Sequence, residues 1–385
     1  MKKRAITAIL IIIIISVIAY PLFSDLTSGE IFPTSRISPV INAHCLILDI
    51  SGDRMLYQFE NVSGMYKTYL SDLNGTVYDE VKNEVPFFPE LDNAGDKFAA
   101  TENLSEDLRI YNSRTRTDTR INVQDIHARY IYDISWSPKG DKIAITVATA
   151  SSDYSICVYD LNTGESENIF NSTEYFSPPS WSPDENYLSF IVQNDSRSTE
   201  STMYIADLKN LSVTASGLKI ENNAHTNIPE RTAWSPKGDI IAYSSSGTIG
   251  ICSPDGKYPD LIKCYKDNSI CKHLEWSPDG SKILYCFILP PGSPENERIG
   301  FADPKTSESE EILSATLQYG HTLSWADNGT KVACLENSGY DNGFLIDTGS
   351  RSGNNIPVII FYIIILVIPA CIVVGWYFGK GKEEK

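Results

Sequence analysis

The chain has almost no helix-forming signal. Between two apolar segments at its ends, no stretch shows the 3.6-residue period of an amphipathic helix, which excludes helical bundles and alternating α/β folds. Histidine is scarce, with five among 385 residues. No His-Glu-x-x-His, Cys-x-x-Cys or glycine-rich phosphate loop occurs, so zincin-type proteases, zinc ribbons, thioredoxin-like motifs and P-loop enzymes find no support. The nearest approach to a nucleophile elbow, GSRSG from Gly349, has arginine where the serine must stand. Cationic side chains are in deficit too, 32 Lys and Arg against 49 Asp and Glu, for a net charge of −17. Such a field repels nucleic acid and anionic lipid and favours cations or basic partners, although solubility or a salty habitat would select the same balance.

What the sequence does contain is one motif, repeated. SWSPKGDKIAITV from Ser135 recurs as SWSPDENYLSFIV from Ser180, AWSPKGDIIAYSS from Ala233, EWSPDGSKILYCF from Glu275 and SWADNGTKVACLE from Ser324. Its anchors are Trp136, Trp181, Trp234, Trp276 and Trp325, and two further copies carry leucine instead, at Leu48 and Leu91. The steps between the seven anchors are 43, 45, 45, 53, 42 and 49 residues, the size of one four-stranded propeller blade. In each copy the Trp ends a strand and offers an apolar plate to the neighbouring blade. Ser-Pro-x-Gly then turns the chain, with Pro presetting φ and Gly taking the left-handed position. About 20 residues on, alternating apolar residues followed by Asp and a turn, as in SICVYDLNTG from Ser155, mark a second hairpin.

The WSPDG anchor followed by Lys-apolar-Ala-apolar resembles the repeat of TolB-type propellers, the WD-repeat-like class, over residues from about 40 to about 349. The resemblance implies an all-β fold, a seven-bladed β-propeller of four-stranded blades, and says little of activity, because this class serves both as binding platform and as enzyme. Three departures stand out: Glu185 replaces the turn Gly, Asp327 replaces the Pro, and the first two copies lack Trp. The last blade runs out of chain at Gly349, so residues 35–41 are predicted to close it with its outermost strand.

The ends of the chain read as membrane segments. Residues 1–23, a basic cap followed by an apolar run with five consecutive isoleucines, form a signal peptide or signal anchor. Residues 24–349 are the propeller ectodomain and 350–355 a short stalk. Residues 356–378 are uncharged and long enough, at about 34 Å as a helix, to make one C-terminal transmembrane helix. Lys380, Lys382 and Lys385 in the tail at 379–385, with Lys2, Lys3 and Arg4, place both ends in the cytoplasm by the positive-inside rule. The expected location is the cell membrane of a prokaryotic envelope, with the propeller outside.

Seven Asn-x-Ser/Thr sequons, at Asn61, Asn74, Asn103, Asn171, Asn194, Asn210 and Asn328, fit an exported glycoprotein, and a chain rich in these residues would also yield several by chance. Cys264 and Cys271 flank one short loop and are the expected disulfide. The five histidines fall on one segment of the repeat. His127 and His225 stand nine residues before their anchors, His44 and His321 four before, and His273 three before. All lie on the segment leading into the first strand of a blade, near the channel mouth. His44, His225, His273 and His321 therefore form the expected metal site, which Asp125, Asp133, Glu230 and Glu275 could complete, although polar residues also collect there because the rest of each blade is strand. Calcium through Asp49 and Asp53 or Asp92 and Asp96 matches no defined loop, and Asp at these places caps its turn.

With no room for a hydrolase domain and no catalytic constellation, the sequence points to a binding platform for an envelope protein or a surface glycan, without chemistry or a required cofactor of its own. The alternatives are a metal-dependent, lyase-like enzyme on saccharides, the layout that some enzymes of the resembled class use, and a structural envelope component that binds its own kind.

Overall fold

The computed structural model describes residues 34–36, 45–60, 66–81, 87–101, 107–122, 126, 128–149, 151, 153–194, 198, 200–221, 230–257, 259–264, 269–289, 297–315, 323–336 and 342–348. They form seven antiparallel four-stranded sheets, one per repeat, as the periodicity requires. Strands are labelled a to d in each blade, from the axis outward. Strand a is Cys45–Ser51 in blade 1, Phe87–Leu91 in blade 2, Tyr130–Trp136 in blade 3 and Ser180–Trp181 in blade 4. It is Thr232–Trp234 in blade 5, Ile270–Trp276 in blade 6 and Leu323–Ala326 in blade 7. Because each blade is a meander, its a–b and c–d turns lie on one face of the disk. The b–c turns and the connections between blades lie on the other, called here the connection face.

The core is not central. It is divided among the layers between neighbouring sheets, and each Trp-Ser-Pro-x-Gly motif is the device that joins them. Trp136 packs with Ala99, Leu108 and Ile110 of blade 2, and Trp325 with Ile299 and Phe301 of blade 6. The indole ring is more than a plate, however. Nε1 of Trp136 donates to the Glu90 carbonyl (2.9 Å), that of Trp181 to Ser135 (3.0 Å) and that of Trp276 to Ala233 (3.0 Å). Trp325 reaches Glu275 at 3.5 Å. Each acceptor is the residue just before the anchor of the preceding blade. Trp234 is the exception, its Nε1 buried without a partner. The turns interlock as well: a Cβ on Gly238, Gly280 or Gly329 would meet Pro183, Pro236 or Pro278 of the preceding blade at 3.2, 3.6 and 2.9 Å.

Where the motif departs from its consensus, the structure shows why. Glu185 adopts φ +62°, the glycine conformation. Its buried carboxylate takes the Lys139 amide (2.7 Å) and the Lys139 ammonium (2.9 Å) of blade 3, replacing the Gly–Pro contact by a charged clamp. In blade 7, Asp327–Gly329 makes a single 3₁₀ turn, and the Asp327 amide bonds Asp53 of blade 1 (2.7 Å). Blade 1 corrects the expected register. Leu48 is not its anchor but the unpaired residue of a bulge between Ile47 and Asp49, and a tight turn follows Ser51. Gly52 holds the anchor position there, with φ +56° and its amide on Ser324 Oγ of blade 7 (3.2 Å).

The ring closes through a strand from the far end of the propeller sequence. Thr34–Arg36 pairs with strand c of blade 7, Asn342–Asp347, setting Ser35 opposite Leu345. This strand begins one residue before the expected 35–41, and residues 37–44 lie outside the described residues. So do the leader (1–23), the stalk (350–355), the apolar run (356–378) and the tail (379–385). Among the described residues no helix is long and apolar enough to cross a membrane.

Candidate functional site

Strand a alternates its side chains, so residues one and three before the anchor share a face. In blade after blade that face lines the axial channel. Three before the anchor stand Asp49, Asp133, Arg231 and His273, from blades 1, 3, 5 and 6; one before it stand Glu90 and Glu275, from blades 2 and 6. Bulges leave Leu48, Tyr132 and Lys272 without an opposite residue in blades 1, 3 and 6, and blade 2 is shifted between Phe87 and Glu90. Such bulges turn a strand and re-aim the side chains beside them.

Two adjoining cavities result, of about 450 and about 500 Å³. The first is walled by turn prolines Pro138, Pro183 and Pro236, so it opens toward the turn face; the second is lined by Tyr132 and Lys272 and opens toward the connection face. Glu90, Asp133, Arg231, His273 and Glu275 line both. These five side chains are the waist of the channel.

The electrostatics follow from crowding like charges in a narrow space. Burial pushes the Glu90 carboxyl well above the usual carboxylate range, with Asp133 and Asp49 adding to the shift and Arg231 opposing it. Burial likewise lifts Asp133 to about 6, against the pull of Arg231 and the Ile134 amide. Both keep partial solvent contact because the channel admits water, although protein surrounds them. The other charged groups are settled locally. Asp49 accepts the Leu91 amide at 2.6 Å, His273 Nε2 lies 3.2 Å from Glu275 Oε2, and Lys272 Nζ lies 3.2 Å from Glu297.

Beside this waist stands an aromatic group that the sequence reading missed. Tyr132 is 50% exposed, and its ring lies 5.7 Å from Tyr154 and 6.2 Å from Tyr175, which are themselves 5.3 Å apart. All three belong to the connection face, through the bulge of strand a, the start of strand c and the link to blade 4. Burial raises the Tyr175 hydroxyl pKa, and Asp133 adds to it.

Of the four expected metal ligands, only His273 is described, and it lines the channel. His44, His225 and His321, like His127 and Asp125, lie outside the described residues. Asp133 and Glu275 do face the channel. Glu230 turns instead into the protein, nearly fully buried, with Oε1 on the Ser246 amide (2.9 Å) and Oε2 without a partner. Burial lifts its pKa to about 7, opposed by Ser244 and the Ser246 amide. Among the described residues no three His, Cys, Asp or Glu side chains converge to hold a metal.

The cystine expected between Cys264 and Cys271 is not formed; both are free thiols. Cys271 Sγ–H donates to the His273 carbonyl (3.2 Å) and Cys264 to Ile262 (3.5 Å). Burial raises both thiols above their ordinary pKa, Cys264 to about 12, which suppresses the thiolate that exchange needs. Of the aspartates expected to cap their turns, Asp92 takes the amides of Asp96 and Lys97, whereas Asp49 takes the Leu91 amide and Asp53 the Asp327 amide of neighbouring blades. Asn74, Asn171, Asn194, Asn210 and Asn328 are exposed; Asn61 and Asn103 lie outside the described residues.

No protein-family profile matches this sequence, and no curated protein matches it either. Solved structures do share its fold. An oligogalacturonate lyase in complex with manganese superposes with a TM-score of 0.60 at 13% identity, over 83% of this chain and 94% of that one. Oligogalacturonate lyase from Vibrio parahaemolyticus gives 0.60 at 14%, over 83% and 94%. The β-propeller domain of the Trilobed protease from Pyrococcus furiosus gives 0.55 at 14%, over 80% and 96%. At such identities the likeness is one of architecture, the propeller that the repeats imply.

Proposed function

We propose that this chain is a membrane-tethered, extracytoplasmic propeller that binds an envelope protein or a surface glycan at the connection-face mouth of its channel, without chemistry of its own. The observation that carries the reading is the channel itself. Strand a, or the residue just before it, delivers charged side chains from four blades to one waist, flanked by a half-exposed tyrosine on a rigid sheet. Concave sites with a few convergent polar groups and an aromatic wall are where ligands dock. The apolar segments at 1–23 and 356–378 supply the tether, and the exposed sequons fit a surface outside the cell.

The test is site-specific crosslinking in intact membranes. A photoreactive residue at position 132 should give one discrete adduct, reduced by Asp133→Asn, while the same residue at Leu261, on an outer strand, should not. Equal adducts from both positions would end the reading, and adducts made only of this chain would favour a structural role.

The lyase-like alternative needs imidazoles converging on a cation. Its one described histidine, His273, lies 3.2 Å from the Glu275 carboxylate. Metal analysis of the purified protein separates the two: stoichiometric metal lost on His44→Ala with His321→Ala would displace the platform reading.

A further inference from the structure

Once local pairing is set aside, three charged groups of the channel remain. Glu275 has His273, Lys272 has Glu297 and Asp49 has the Leu91 amide. Glu90, Asp133 and Arg231 are joined to one another by no hydrogen bond or ion pair among the described residues, although Glu90 feels the charges of Asp133 and Arg231, and Asp133 that of Arg231. They face a shared volume without closing on it. Burial and the charges of Asp133 and Asp49 hold the proton on Glu90. Ionised together beside Arg231, Glu90 and Asp133 leave the group one positive charge short of neutral, a deficit that a cation placed between the two carboxylates fills. Beside them lies an aromatic surface. The Tyr132, Tyr154 and Tyr175 rings pack against one another at 56° to 76°, so they present a wall rather than a closed cage. A wall of this kind suits an alkyl stem leading to a charged head, and ring faces attract cations.

We infer that the group bound in the channel waist is an organic cation, a primary ammonium or guanidinium, seated between Glu90 and Asp133 with its alkyl stem along Tyr132. The inference rests on the reading of the channel as a binding site and names what that site takes. An anionic sugar would meet two carboxylates for each guanidinium, inside a chain of net charge −17. A divalent metal would stand beside Arg231, and among the described residues no three ligands converge to hold it. The cation has two sources, a free amine or the lysine or arginine side chain of a partner polypeptide.

The experiment is titration calorimetry of the full-length protein in detergent at 150 mM salt. The probes are 1,5-diaminopentane, an end-blocked Gly-Gly-Lys-Gly-Gly peptide, its Nε-acetyl-lysine counterpart and trigalacturonate. At least one free-amine probe should bind, and the acetylated peptide should bind at least tenfold more weakly than the free one wherever that one binds. Glu90→Gln and Asp133→Asn should each weaken binding at least tenfold, while Glu167→Gln, on an exposed outer strand, should leave it unchanged. Arg231→Gln should tighten cation binding severalfold, because it removes the competing charge. Its fold is checked by circular dichroism and melting temperature, with Arg231→Lys as a second variant that should resemble the native protein. Diaminopentane binding without peptide binding identifies a free amine; peptide binding identifies a side chain. Cation binding that Glu167→Gln weakens as much as Glu90→Gln is surface attraction and overturns the inference, as does no binding by either amine. Trigalacturonate bound through Arg231, and lost in Arg231→Gln, overturns the cation while leaving the platform standing; indiscriminate crosslinking at 132 removes the platform.

Discussion

At the residue scale, an anchor tryptophan supplies both apolar area and one hydrogen bond across a blade boundary. The two contributions can be separated because Trp234 lacks the second. Trp136→Phe should lose the bond to the Glu90 carbonyl and cost about 1 kcal/mol more than Trp234→Phe, whose N–H has no partner to lose. Denaturant midpoints of the two variants measure the difference. Glu230 gives a pH signature. Its folded pKa is raised from 4.5 to about 7, so the folded state holds the proton more tightly than the unfolded chain. The stability it contributes is present below about pH 4.5 and is lost as pH rises through 7, with a slope of up to about 1.4 kcal/mol per pH unit. Glu230→Gln, a neutral isostere, should melt with the native protein at pH 4.5 and above it at pH 8. The sequence shows this scale unevenly. Trp136 and its counterparts are legible because every blade needs the same plate. His273 and Asp133 stand out as possible ligands, but Arg231, which shares their register and not their chemistry, is hidden unless the column three before the anchor is read for what differs.

At the scale of the element, turns and bulges decide what a blade presents. Glu185 looks like a defect in the repeat and is a clamp. Glu185→Ala should keep the left-handed backbone and lose the bonds to Lys139, whereas Glu185→Gly loses the same bonds and relieves the backbone. The alanine variant should therefore be the less stable by about 1 kcal/mol, read as a lower midpoint in urea. Both should fall below the native protein. Strand periodicity is written in the sequence, but bulges are not. A bulge is a statement about the partner strand, so nothing local distinguishes Tyr132 from a regular strand residue, and Leu48 could be taken for an anchor because its apolar character suits either place. For the same reason Tyr154 and Tyr175, well separated from Tyr132 in the sequence, gave no sign of meeting it.

At the scale of the whole molecule, seven inter-sheet layers replace a single core, and the layer between blades 7 and 1 is the one whose chain crossing, from Thr34–Arg36 to Cys45–Ser51, starts on a strand joined to its own blade by hydrogen bonds rather than by consecutive chain. It is held by Ile50, Met55 and Tyr57 packed on Ala326 and Ala333, by two bonds at the turns, and by the closing strand within blade 7. Removing residues 34–36 together with what precedes them should cost roughly 3 kcal/mol, at about 1 kcal/mol for each paired residue, and broaden the melting transition as blades 7 and 1 loosen first. Differential scanning calorimetry of the shortened chain checks this. The closing strand was readable because a ring with seven anchors and only three strands in its last blade, the anchor's own included, has to borrow the fourth.

That borrowed strand also sets an order of events. Thr34–Arg36 is among the first segments of the ring to leave the ribosome, and its mate, Asn342–Asp347, is among the last. Closing so long a loop carries a large entropic cost that local contacts cannot offset beforehand. The early strand must wait, unmatched, while six blades assemble behind it. Sealing is then a late and slow step of biogenesis, and no shortened translation product can complete it.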